Sequence, residues 1–200
     1  MQWLLTHTPL LYLTQSLWRD EAFSILTAQK PVSEIVGKLG LEPPLYYVLL
    51  HFWLRVFGTS EIAARSLSLV GLGLATFVVI IWAEKLFKKH WLTWFLPLFF
   101  FLNPMLLYYG FEVRSYAWYV FFATLSIYGY LKKRWSIYVV STVLGFYTHS
   151  FMLVFFFATF CHWALTHKVW QKLTRPKRLL ADPFCRCLII ILSSWLLGYH

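Results

Sequence analysis

The sequence predicts an all-α fold: a polytopic transmembrane helical bundle with juxtamembrane helices in a long first extracytoplasmic loop. Three observations predict it. The chain is 60% hydrophobic and 13% charged, whereas a soluble domain carries roughly 25% charged residues. Mean hydropathy is +0.61, and several apolar runs approach the roughly 20 residues needed to cross a bilayer. The runs are continuously apolar, without the alternation of a β-barrel strand.

In chain order, residues 1–17 read as a shortened first span, interrupted by Thr6, His7, Thr8 and Gln15. This stretch lacks the basic start and small-residue cleavage site of a signal peptide. Residues 18–61 read as the outer loop. It begins with a short helix near Asp20. A small amphipathic helix follows, because Val32, Ile35, Val36 and Leu39 recur at helical spacing and Gly40 closes the pattern. Glu42-Pro43-Pro44 makes a stiff turn, since a proline biases the residue before it toward extended backbone. Residues 44–57 then form about 21 Å of helix, short of a hydrocarbon core of about 30 Å. That length, with His51 and Arg55 turned to the headgroups, fits a helix lying in the interface.

Residues 62–167 carry the membrane helices: Ile62–Glu84, Trp91–Tyr108, Tyr116–Leu131, and two shorter helices over Ser136–Tyr147 and Phe151–His167. A basic loop occupies 168–186, and 187–200 is an incomplete span. The whole reads as one module, the N-terminal part of a larger enzyme.

The net charge of +10 could point to nucleic acid, but its distribution does not. Lys85, Lys88 and Lys89, then Lys132, Lys133 and Arg134, then the 168–186 loop, hold the cations in gaps between spans. That is the positive-inside pattern of membrane topology. With those gaps cytoplasmic and two spans between the first and the second, residues 18–61 lie outside. The outer side then holds Asp20, Glu21, Glu34, Glu42, Glu61 and Glu112, six of the chain's eight acids. The three cysteines, Cys161, Cys185 and Cys187, imply no disulfide framework. Clustered acids leave a divalent cation open, with no spacing that identifies one.

Four outer clusters carry the residue types that move a sugar from a lipid phosphate: Arg19-Asp20-Glu21, Glu42-Pro43-Pro44-Leu45-Tyr46-Tyr47, Glu112-Val113-Arg114-Ser115-Tyr116 and Tyr147-Thr148-His149. A carboxylate can accept the acceptor hydroxyl's proton. A guanidinium fork matches two phosphate oxygens. Aromatic rings stack on sugar or prenyl groups. Each cluster also has a plainer reading. Asp20 and Glu21 also read as partners of a helix dipole, Glu42 as a solvated turn residue, and Arg114 as a snorkelling cation. His149 also reads as an interhelical hydrogen-bonder. Arg65, one turn inside its span, is expected to snorkel outward or to pair with Glu61.

The segments LWRDEAFS (17–24), EPPLYYVLLHFWLRVFGTSEIAARSLS (42–68), FEVRSYAW (111–118) and YTHSF (147–151) resemble the GT-C superfamily of membrane glycosyltransferases. The similarity is nearest to the branch of dolichyl-phosphate-mannose–protein mannosyltransferases, the aminoarabinose transferase and RgtA-like enzymes. The resemblance implies inverting transfer of a sugar from a polyprenyl-phosphate donor to a lipid, glycan or protein acceptor, on the extracytoplasmic side of the plasma (inner) membrane. It implies Asp20 as general base with Glu21 as its acidic neighbour. It places Arg114, Glu112, Tyr116 and His149 around the donor phosphate and Glu42, Tyr46 and Tyr47 along the substrate cavity. Many relatives have His or Lys where this chain has Glu42. No nucleic-acid partner is expected. The alternatives are a transporter or scaffold that uses the same helices without chemistry, and an inactive fragment of such an enzyme.

Overall fold

A computed structural model of the chain describes residues 11–38, 42–87, 91–166 and 182–198. Among these residues the regular structure is helical, without strands. The elements are α1 (Leu11–Thr14), α2 (Arg19–Ala28), α3 (Val32–Lys38), α4 (Leu45–Phe57), α5 (Glu61–Phe87), a 3₁₀ turn (Trp91–Trp94), α6 (Phe95–Phe101), α7 (Pro104–Gly110), α8 (Tyr116–Leu131), α9 (Trp135–Phe146), α10 (Met152–Thr166) and α11 (Pro183–Gly198). The chain divides into two units, Met1–Phe121 and Phe122–His200.

In the first unit, α4 packs on α2, α3 and α5. Tyr46, Tyr47, Leu50, His51 and Leu54 form its buried face, at the spacing that keeps one side of a helix together. They meet Ile25, Ala28, Ile35, Ala64, Leu67 and Val113 in one core. Phe52, Arg55, Val56 and Phe57 lie on the exposed side. His51 therefore corrects an expectation. It is buried, and its Nδ1 donates to the Ala28 carbonyl at 2.7 Å. The last turn of α2 leaves carbonyls without helical partners, and His51 satisfies one of them. Gly58 ends α4 at φ +86°, a conformation that costs a side-chain-bearing residue dearly.

Ser60 precedes helix α5, and its Oγ accepts from the Ala63 amide at 3.2 Å, the arrangement of an N-cap. Residues Glu61–Lys85 are long and apolar enough to cross a membrane, the one such stretch among the described residues. Helices α4, α9, α10 and α11 are apolar but shorter. A Cβ on Gly71 would come within 2.9 Å of Trp118, and one on Gly110 within 2.7 Å of Leu72. Both glycines let neighbouring segments close on α5, and Trp118 Nε1 donates to the Leu67 carbonyl at 3.0 Å.

The expected span Trp91–Tyr108 is not one helix. It is a 3₁₀ turn, then α6, then α7, broken at Leu102–Asn103. Pro104 supplies no amide hydrogen and disfavours a helical residue before it. Asn103 is accordingly extended, and its side chain accepts from the Met105 and Leu106 amides to start α7 afresh.

In the second unit, α9 packs against α10 and α11. Its centre is aromatic: Phe184 is fully buried, with ring centroids 5.0 Å from Trp163, 5.4 Å from Tyr130 and 5.7 Å from Tyr138. Hydroxyl pairs tie the helices together, Ser126 with Thr142 at 2.7 Å and Tyr138 with Thr159 at 2.8 Å. Lys133 turns the chain between α8 and α9 at φ +53°. Helix α11 starts at Pro183 and so takes in Arg186, which the sequence places in the basic loop. Cys161, Cys185 and Cys187 form no disulfide among the described residues. The expectations for residues 1–10, Leu39, Gly40, Lys88, Lys89, His167 and most of the 168–186 loop lie outside the described residues.

Candidate functional site

Asp20 and Glu21 occupy the first turn of α2. Glu21 is the third residue of the helix and accepts from the Trp18 amide at 3.1 Å, satisfying one of the orphan amides of a helix start. Its side chain is only 1% exposed. Facing it is Arg65, 2% exposed, one turn into α5. Arg65 Nε donates to Glu21 Oε1 at 2.9 Å and Nη2 to Oε2 at 2.6 Å, a bidentate pair. Nη1 donates to the Leu13 and Gln15 carbonyls at 3.1 and 2.6 Å, and Nη2 to the Ser16 carbonyl at 3.4 Å. The Val113 amide donates to Glu21 Oε1 at 3.0 Å.

One buried ion pair thus ties together residues 13–16, the start of α2, α5 and the 111–115 segment. The expectation that Arg65 snorkels outward or pairs with Glu61 is corrected. Residues 15–18 are not helical, so carbonyls before α2 need donors, and a five-donor fork can serve those of Leu13, Gln15 and Ser16 and a carboxylate together. Burial pushes the Glu21 carboxyl up. The Arg65 hydrogen bonds and the Trp18 and Val113 amides outweigh it and hold the carboxyl below its usual range.

Asp20 points the other way and is 60% exposed, with Oδ2 3.4 Å from Arg114 Nη2. Arg114 follows the buried Val113 in the irregular stretch between α7 and α8. Its guanidinium lies 5.7 Å from the centre of the Tyr116 ring. Its carbonyl accepts from Ser68 Oγ at 3.4 Å, and that hydroxyl lies 3.3 Å from Tyr46 Oη. Backbone on both sides of Arg114 is therefore fastened to the core. Glu112, half-buried, lines a cleft with Tyr12, Gln15, Trp18, Glu21, Arg65, Tyr108 and Phe111. Burial raises its carboxyl above the usual range. Arg114 opposes the rise, while the Glu21 and Asp20 charges add to it.

The residues expected along a substrate cavity separate. Glu42 is exposed and accepts a hydrogen bond from Tyr47 Oη. Tyr46 is fully buried and Tyr47 6% exposed. Both rings belong to the core, because α4 turns that face onto α2 and α5, so neither lines an open cavity. Burial raises the Tyr47 phenol, and its bond to Glu42 raises it further. His149 lies in the second unit, in the turn between α9 and α10, where its Nδ1 accepts from the Phe151 amide at 3.1 Å.

Among the described residues no three His, Cys, Asp or Glu side chains gather as a metal cage. Glu21, one of the clustered acids, is committed to Arg65. What the site offers is one accessible carboxylate beside one partly exposed guanidinium, both on a fixed frame. Sequence reading missed the frame. Its signal was an arginine inside an apolar helix, which is costly unless an acid meets it. Comparison with protein-family models, with curated proteins and with solved structures returned no match.

Proposed function

We propose that this chain forms a polytopic module of an integral-membrane glycosyltransferase, working at the extracytoplasmic face of the plasma (inner) membrane on a polyprenyl-phosphate sugar. The observation that carries the reading is the Asp20–Arg114 pair, 3.4 Å apart although 94 positions separate them in sequence. Asp20 accepts the proton as the acceptor hydroxyl attacks the anomeric carbon. The bond from that carbon to the phosphate oxygen breaks, and the configuration inverts. Arg114 holds the departing polyprenyl phosphate. Tyr116 backs the guanidinium, and Glu21 with Arg65 holds both groups in register. The exposed Phe52, Val56 and Phe57 of α4 rest in the membrane interface.

Asp20→Asn keeps the size and removes the base. In membranes carrying the intact protein, sugar transfer from a polyprenyl-phosphate donor should fall roughly 100-fold or more. Transfer at full rate would remove Asp20 from the chemistry. One observation favours a second reading: the α6–α7 break interrupts an apolar run, and discontinuous helices form the binding sites of transporters. A transporter would accumulate a free sugar in proteoliposomes, with no product formed and no dependence on a lipid phosphate.

A further inference from the structure

The cleft beside the Asp20–Arg114 pair has a composition that phosphate chemistry does not use. Tyr12, Trp18, Tyr108 and Phe111 wall it, and its charged groups are the paired Glu21 and Arg65 together with Glu112. The Tyr12 ring centroid lies 6.0 Å from Tyr108 at 83° and 6.2 Å from Phe111 at 39°, so these rings are not stacked flat together. The charged groups acting on Glu112 are Arg114, Glu21, Asp20 and Arg65. Arg65 is matched by Glu21 and Arg114 by Asp20. Three carboxylates therefore face two guanidiniums, and the unmatched charge is that of Glu112. Among the described residues its carboxylate has neither a hydrogen bond nor an ion pair.

We propose that this cleft is a subsite for a primary ammonium group, with Glu112 as the counter-charge and the surrounding rings as its walls. A half-buried carboxylate without a partner repels phosphate and stabilises a cation. A single uncommitted carboxylate is too few ligands for a divalent ion, whereas aromatic faces attract an organic cation. The cleft is open on one side, and its narrow part has room for about one water-sized group. That admits an NH₃⁺ head and excludes a trimethylammonium. The ammonium can belong to a soluble amine or to an ethanolamine lipid headgroup. The proposal stands on the cleft's own charge balance, so binding tests it whether or not the protein transfers sugars.

The experiment is saturation-transfer NMR on the full chain in phosphatidylcholine nanodiscs, with ethylammonium and tetramethylammonium as probes. Ethylammonium should bind and tetramethylammonium should not. Glu112→Gln should weaken ethylammonium roughly tenfold or more, the worth of one charge-assisted hydrogen bond. Glu112→Asp, which keeps the charge, should restore most of the binding. Loss of the ethylammonium signal in phosphatidylethanolamine nanodiscs assigns the site to the lipid headgroup, and its persistence assigns it to a soluble amine. Equal binding by wild type and Glu112→Gln, no restoration by Glu112→Asp, or equal binding of the two probes would overturn the proposal.

Discussion

Neighbouring carboxylates at positions 20 and 21 end in opposite surroundings because a helix turns about 100° per residue. Asp20 faces solvent and Arg114, while Glu21 faces the interior and Arg65. Removing either member of the buried pair strands the other. Glu21→Gln or Arg65→Met should each cost about 3–5 kcal/mol, measured by chemical unfolding in detergent. The double change should cost much less than the sum. The pH dependence has a defined sign. The Glu21 carboxyl is held below its usual range, so its contribution is present above that range and disappears as pH falls through the lowered folded value. Below about pH 4.5 the wild type should lose stability with acid, and Glu21→Gln should be flatter there. Glu112 has the opposite sign. Its raised carboxyl takes stability away as pH climbs from its ordinary range through the folded value, and Glu112→Gln should remove that loss.

Element boundaries follow local chemistry where the chemistry is strong. Tyr116–Leu131 is helical over the stretch its apolar run marks, α4 stops at Gly58, and α5 starts at a serine cap. The Trp91–Tyr108 run departs because Pro104 outweighs its hydropathy. Pro104→Ala should let α6 and α7 join, with added helical circular dichroism. An unchanged spectrum would place the cause of the break elsewhere. Close approach is the second element-scale constraint. A Cβ at Gly129 would sit 2.8 Å from the Tyr138 backbone nitrogen, where no side chain can swing aside. Gly129→Ala should therefore destabilise the α8–α9 hairpin by about 1–3 kcal/mol, visible as a lowered Tm. Gly73, with open space around it, should tolerate the same change with no more than a small shift.

For the whole molecule, the positive-inside distribution commits the proposed topology. Cysteines introduced at Lys38 and Lys133 should react with a membrane-impermeant maleimide from opposite sides in intact cells. Labelling from one side would reverse the parity on which the extracytoplasmic site rests. Composition and run length were sufficient to make the chain all-α and to mark α5 as long enough to cross a membrane, because hydrophobic content and helix length are one-dimensional properties. They also singled out Asp20 and Arg114 as residue types. Tertiary structure alone decided that these two lie together, that Glu21 serves Arg65, that His51 faces inward and that Tyr46 and Tyr47 are core. Each of those outcomes depends on which face a helix turns to its neighbours and on which carbonyls a loop leaves unpaired, and both are settled only when separate segments pack.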